Sequence, residues 1–164
     1  MDASLVPLDA RTGAVLGQWR LADRKLSLRH LARAGDGCIG IALQAEHDDA
    51  TERAAAPLLA LWQDGALRTV PGPAAAGYGG DIATLGDGFV ISAPRSGRLL
   101  AWRESAGWRT IETPDEPCAL AASASRAWCG GRQTLWSMDR GLDDAHSSAA
   151  PQGMRVDNHA VILA

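Results

Sequence analysis

Short apolar runs separated by polar turns extend along most of the chain. In residues 79–102, three apolar runs are interrupted first by Gly-Asp-Gly and then by Pro-Arg-Ser-Gly-Arg. Runs of this length, bounded by turn-forming residues, are typical of β-strands. We find no stretch with the 3.6-residue periodicity that a helical solenoid requires. The pattern therefore predicts an all-β protein.

Two kinds of hairpin recur in this pattern. An apolar run near a Trp, a polar turn and a second apolar run make up the outer hairpin, whose copies begin at Ser4, Pro57 and Arg98. Two of its turns, Asp64-Gly65 and Ala106-Gly107, place Gly where tight turns require a positive φ. An inner hairpin precedes the outer ones at Pro57 and Arg98, with copies that begin at His30 and Asp81, and a third, looser copy begins at Ala119. The outer hairpin at Ser4 has no inner hairpin before it.

An inner and an outer hairpin together give four antiparallel strands per repeat. A four-stranded repeat of about 40 to 50 residues is typical of a β-propeller blade. We predict a β-propeller-like fold of about three to four blades, each a four-stranded antiparallel sheet, as part of a larger ring. The Ala- and Gly-rich first strands fit a crowded axis, and the Trp of each third strand is expected to pack between blades.

The predicted propeller segment occupies residues 1–164 as a single domain. Its parts are an outer hairpin at 4–21, blades at 27–70 and 79–112, a partial blade at 118–138 and a terminal strand at 154–164, with a polar loop at 141–153. Propellers close with roughly four to eight blades, and an open arc would expose apolar faces. Three solutions stay open: the terminal strand completes a blade with the first hairpin, two chains assemble, or the chain is the C-terminal part of a longer ring. We favour the C-terminal part of a longer ring. On its own, such a chain is expected to self-associate as a dimer through its open blade faces.

Charge and composition exclude several classes of partner. The formal net charge is −3, which gives no electrostatic footprint for nucleic-acid binding. No apolar run reaches the roughly 20 residues that cross a bilayer, and the N-terminus carries no export signal. Of the three cysteines, Cys118 and Cys129 fall on adjacent predicted strands where a disulfide is possible. We favour small buried thiols, Cys38 included.

Four segments together resemble a known family. They are "SLRHLA" from Ser27, "GYGGDIA" from Gly77, "SAPRSGRLLAW" from Ser92 and "VDNHAVIL" from Val156. They resemble the C-terminal half of an uncharacterised family of bacterial periplasmic proteins, a domain of unknown function with a predicted propeller fold and twin-arginine export. Members of that family accompany imelysin-type proteins. The resemblance implies a periplasmic location and a role in iron or haem acquisition.

Candidate ligands lie where the inner strands are predicted to start. His30, Asp81 and His159 would face one channel and could bind a divalent metal, the only cofactor that we consider. Arg29 and Asn158 directly precede the two histidines and complete the set of channel candidates. The alternative is that each side chain caps a neighbouring strand.

Three further features could contribute to binding. Arg95 and Arg98 flank a turn and could face an anion together with Arg29. Tyr78, among glycines, could stack on a ligand or cover the backbone beside it. The charged run at 46–49 is expected to be a solvated loop.

Two functions follow from these candidates. We favour a non-catalytic binding module for a protein or small ligand, because no nucleophile elbow and no phosphate-binding glycine loop occurs. The alternative is a metal-dependent, lactonase-like hydrolase that uses the channel residues, which fold analogy alone supports.

Overall fold

Three antiparallel sheets of four strands each make up the fold in the computed structural model, which describes residues 2–113, 115–123, 125–141, 145–149 and 160–161. The strands are β1 (Leu26–Arg33), β2 (Ile39–Ala45), β3 (Leu59–Gln63) and β4 (Ala66–Val70); β5 (Asp81–Leu85), β6 (Gly88–Ala93), β7 (Arg98–Arg103) and β8 (Gly107–Glu112); β9 (Ala119–Ala122), β10 (Arg126–Gly130), β11 (Thr134–Asp139) and β12 (Ala145–Ala149).

Within each sheet, every strand pairs with the next one along the chain. Tight turns permit this because Asp64 and Gly65 between β3 and β4 adopt φ values of 50° and 77°, and Gly107 at the turn after β7 adopts 72°. The first strands meet, since β1 contacts β5 and β5 contacts β9. The predicted all-β, propeller-like architecture is confirmed.

The third sheet differs from the expectation at its edge. The sequence predicts a loop over 141–153, but Ala145–Ala149 pairs with β11 in antiparallel register, with Met138 opposite Ala145 and Thr134 opposite Ala149. The loop prediction is therefore wrong for these five residues. Small polar side chains suffice here because an edge strand is held by backbone hydrogen bonds, and residues 146–149 face solvent. The predicted terminal strand at 154–164 falls outside the described residues, except for Ala160 and Val161, neither of which is in a strand.

Apolar side chains of neighbouring sheets form two layers of core. Trp102 of β7 packs with Leu59 and Leu61 of the first sheet, and Trp136 of β11 packs with Val90 and Leu99 of the second. These contacts confirm that third-strand tryptophans lie between sheets. Each of the two faces its preceding sheet.

A segment at the N-terminus takes the place of a preceding sheet. It folds back on itself through isolated bridges between Leu5 and Trp19 and between Leu8 and Val15. Trp19 meets Trp62 of β3 edge to face, with ring centroids 5.4 Å apart, and its indole N–H donates to the carbonyl of Gly65 at 2.7 Å. The first sheet is thereby covered on the side that faces away from the second.

Two short helices interrupt the sheets, α1 (Ala50–Ala55) between β2 and β3 and a 3₁₀ turn (Pro94–Ser96) between β6 and β7. No helix in the described part of the chain is long and apolar enough to span a membrane. Cys38 and Cys129 are buried thiols, and no disulfide forms among the described cysteines.

Candidate functional site

His30 and Asp81 are brought together by an irregularity in β1. Leu28 pairs with Leu43 and Leu31 pairs with Ile41, so Arg29 and His30 together lie opposite one residue of β2, which is a β-bulge. His30 is therefore mid-strand rather than at a strand start as expected, whereas Asp81 is the first residue of β5. The bulge still places Nδ1 of His30 3.6 Å from Oδ1 of Asp81.

Asp81 is a buried carboxylate whose two oxygens are both engaged. Oδ1 accepts from the N–H of Ile82 at 2.8 Å, and Oδ2 accepts from the N–H of Leu120 in β9 at 2.9 Å. The bond to Leu120 agrees with the alternative to metal binding, in which the side chain caps a neighbouring strand. Asp81 thus fastens the second sheet to the third.

The predicted metal site combines His30 and Asp81 with His159. His159 and Asn158 fall outside the described residues. Within the described ranges, no group of three or more His, Cys, Asp or Glu side chains is arranged to hold a metal ion. The divalent-metal site stays a prediction.

Arg95 and Tyr78 form a second pair at the same end of the sheets. The guanidinium carbon of Arg95 lies 4.3 Å from the centroid of the Tyr78 ring, a cation–π arrangement. Tyr78 is itself fixed, because its backbone forms an isolated bridge with Gln44 at the end of β2. Among the described residues, no acidic side chain pairs with Arg95, whereas Arg98 of the same turn donates to Glu112 at 2.9 Å. Arg29 is exposed on the bulge.

Arg95 forms one wall of a polar cavity of about 560 Å³. The remaining lining residues come from the end of β2, from the loop after it and from α1: Gln44, Ala45, Glu46, His47, Asp48 and Arg53. Apart from the backbone of Ala45, these residues offer charges, an amide and an imidazole. The cavity can therefore bind a small polar molecule.

The charged run at 46–49 is the solvated loop that the sequence predicts at Glu46, Asp48 and Asp49, which are exposed, but not at His47. Asp49 caps α1 by accepting from the N–H groups of Thr51 and Glu52, and these two hydrogen bonds lower the pKa of its carboxyl. The side chain of His47 is only 14% exposed, and its Nε2 lies 3.0 Å from Oδ2 of Asp23. His47 alone turns inward from this loop, towards Asp23.

One of these features had a sequence signal. Asp49 followed by Glu52 three residues later is a helix N-terminus pattern that marks α1. The bulge had none, because Leu31, which breaks the spacing of Leu26 and Leu28, is exposed. Nothing in the sequence joins Arg95 to residues 44–53, because the turn after β6 reaches them only through the stacking of two sheets.

Comparison with known proteins identifies the family. The family model described as "Protein of unknown function (DUF1513)" matches residues 1–163. The chain belongs to the DUF1513 family. Its resemblance to a family of unknown function is confirmed to that extent. No curated protein matches the chain.

Solved structures show the fold that a DUF1513 chain adopts. Virginiamycin B lyase from Staphylococcus aureus superposes with a TM-score of 0.69 at 18% identity, over 93% of this chain and 50% of the lyase. A functionally unknown protein from Desulfotomaculum acetoxidans gives 0.59 at 11% identity, over 94% and 51%. The computationally designed Ika4 protein gives 0.54 at 16% identity, over 77% and 74%. This chain spans about half the length of the first two structures.

Proposed function

We propose that this DUF1513 protein is a non-catalytic propeller module that binds a small carboxylate-bearing ligand in the cavity beside Arg95. The observation that carries the proposal is the stacked guanidinium. The contact with Tyr78 holds the guanidinium carbon 4.3 Å from the ring centroid, and no acidic side chain among the described residues pairs with the N–H donors. A planar guanidinium presents two parallel donors that match a carboxylate.

The size and setting of the cavity support the same function. Small-molecule pockets occupy roughly 300 to 1,000 Å³, and this cavity has about 560 Å³. It is bounded by the end of β2, the loop at 46–48, α1 and the 3₁₀ turn that carries Arg95, so residues from two sheets contribute to it. A prearranged Arg loses less side-chain freedom on binding than a mobile one would.

Substitution of Arg95 tests the proposal. We expect Arg95→Ala to weaken binding of small carboxylates, measured by calorimetric titration, by about 10- to 100-fold, which corresponds to loss of a charge-assisted hydrogen-bonded pair. Arg98→Ala is the matched control, because Arg98 belongs to the same turn but pairs with Glu112. If carboxylates bind equally to both variants, or bind to neither the variants nor the parent protein, the proposal is wrong.

The finer physiology rests on the sequence resemblance. A periplasmic location and a part in iron or haem acquisition stay predictions.

The contact between His30 and Asp81 favours a second candidate, the metal-dependent hydrolase. Its imidazole and carboxylate atoms lie 3.6 Å apart, close enough to share an ion. Against it, both Asp81 oxygens already accept backbone N–H groups. Elemental analysis of the purified protein and of His30→Ala decides the matter, since the hydrolase requires a stoichiometric metal that the variant loses.

A further inference from the structure

Two residues that line the cavity with Arg95 carry buried hydrogen-bond acceptors that lack donors. Oε1 of Gln44 and Nδ1 of His47 are both shielded from solvent and have no hydrogen-bond partner. The 3.0 Å contact between Nε2 of His47 and Asp23 places the imidazole proton on Nε2, because a carboxylate accepts. In the neutral imidazole Nδ1 is then an acceptor, like the amide oxygen of Gln44.

The charges on this wall separate into engaged and available groups. Asp48 is paired with Lys25 at 2.9 Å, and Arg53 donates to the carbonyl of His47 at 2.7 Å. Glu46 is exposed and forms no ion pair within the described ranges. The cavity lining therefore carries two cations, Arg53, which is held by the His47 carbonyl, and Arg95, which has no acidic partner among the described residues, together with the unpaired anion Glu46 and two acceptors.

We infer that the ligand is a zwitterion of the amino-acid class. Its carboxylate binds Arg95, and its ammonium donates towards Gln44 and His47 and faces the carboxylate of Glu46. This inference rests on the proposed function, carboxylate binding at Arg95, and adds a positively charged ammonium to the ligand. An ammonium suits this wall because it brings three donors and no acceptor. A carboxylate placed against Gln44, His47 and Glu46 would meet two acceptors and a like charge, so these three residues favour an ammonium.

Binding requires a small local change. Oε1 and Nδ1 have almost no accessible surface, so the ammonium reaches them through rotation of the Gln44 amide into the cavity. The backbone of Gln44 is held by its bridge with Tyr78 and by its pairing with Ser27, which confines the change to the side chain. Rotation relieves a buried acceptor that is otherwise unsatisfied.

A pair of ligands that differ only in the ammonium tests the inference. L-alanine and propionate are titrated into the full chain and followed by calorimetry or NMR. We expect L-alanine to bind at least about tenfold more tightly than propionate, as a hydrogen-bonded charge contributes. Gln44→Met, which keeps the side-chain length and removes the acceptor, is expected to weaken L-alanine binding about tenfold and to leave propionate binding unchanged.

The outcomes separate this inference from the proposed function. If propionate binds as tightly as L-alanine, or if Gln44→Met weakens both ligands equally, the zwitterion inference is wrong while carboxylate binding stands. If neither ligand binds at millimolar concentration, carboxylate binding is wrong too. Should Gln44→Met not fold, the exposed Glu46→Gln replaces it with the same expected selectivity for L-alanine.

Discussion

Asp81 and Leu120 belong to different sheets, yet a hydrogen bond of 2.9 Å joins the carboxylate of the first to the backbone N–H of the second. The bond links the first strands β5 and β9 at a position where Asp81 is 9% exposed. A buried side chain therefore sets the spacing of two sheets that share no backbone ladder. The hydrogen bonds from the N–H groups of Ile82 and Leu120 also leave the Asp81 carboxylate poorly available to a metal.

Removal of this link is expected to destabilise the fold. Asp81→Ala leaves the N–H groups of Ile82 and Leu120 without acceptors, which costs about 2 to 5 kcal/mol in unfolding free energy. Urea denaturation measures it. Asp87→Ala is the control, because Asp87 is 56% exposed and its ion pair with Arg103 contributes at most about 1 kcal/mol. Equal losses in the two variants would contradict a structural role for Asp81.

Two tryptophans on successive sheets should differ sharply in their contribution. Trp102 is 8% exposed between the first two sheets, whereas Trp128 on the outer side of the third is 39% exposed. We expect Trp102→Ala to lower the unfolding free energy by about 3 to 5 kcal/mol and Trp128→Ala by about 1 kcal/mol. Thermal and urea unfolding check both. A loss at Trp128 as large as at Trp102 would mean that its face is covered.

Gly77 is expected to tolerate no side chain, since it supports the cavity wall. It adopts a φ of 61°, and a Cβ there would press against the carbonyl oxygen of Arg53 at the base of α1. Gly107 adopts a similar φ of 72° with nothing within 4 Å of such a Cβ. Gly107→Ala should therefore cost about 1 to 2 kcal/mol for backbone conformation alone, and Gly77→Ala about 1 to 3 kcal/mol more for overpacking.

Equilibrium denaturation of both variants measures this difference. Gly77→Ala should also weaken L-alanine binding, because α1 carries Arg53 on the cavity wall. Gly107→Ala should leave binding unchanged. Similar stability losses in the two variants would show that α1 can shift away from the new Cβ at little cost in free energy, which would contradict the prediction.

The thiol of Cys129 predicts a pH dependence of stability. Burial raises its pKa to about 12 from an ordinary value of 9.0. The unfolded chain loses this proton above about pH 9 while the folded chain keeps it. The stabilising effect is therefore complete below pH 9 and declines towards pH 12, by about 1.4 kcal/mol per pH unit.

Comparison of urea midpoints at pH 8 and pH 10.5 isolates this thiol from other titrating groups. The parent protein should lose about 2 kcal/mol more than Cys129→Ala over that interval. Parallel pH profiles would show that the thiol is already accessible to base. At pH 8, Cys129 should also resist alkylation until the protein unfolds.

The fold could be predicted because its determinants are local and repeated. Turn glycines such as Gly65 and Gly107 specify hairpins, and a Trp in each third strand marks the period. The sequence did not predict the edge strand β12, because residues 146–149 face solvent and show no alternation of apolar and polar side chains. Its place in the third sheet depends on backbone pairing alone, which is a property of the neighbouring strand β11 as much as of its own sequence.

The site was harder to predict because it is assembled from distant parts. Arg95 and Tyr78 were both singled out as binding candidates, but their stacking on each other depends on how the turn after β6 lies over the end of β2. His47 was assigned to solvent because charged neighbours usually are solvated. Its contact with Asp23, which crosses from the segment before β1, reverses that assignment, and no pattern within residues 46–49 contains this information.

The backward-facing tryptophans give the row of sheets a direction. Each sheet inserts its Trp into the one before it, the N-terminal segment covers the trailing side, and Trp128 and Leu135 lie uncovered on the leading side. Like faces do not complement each other, so copies that associate through these surfaces would join head to tail rather than about a twofold axis. Such a junction closes into a ring or grows as a filament, and the rotation per sheet decides between them.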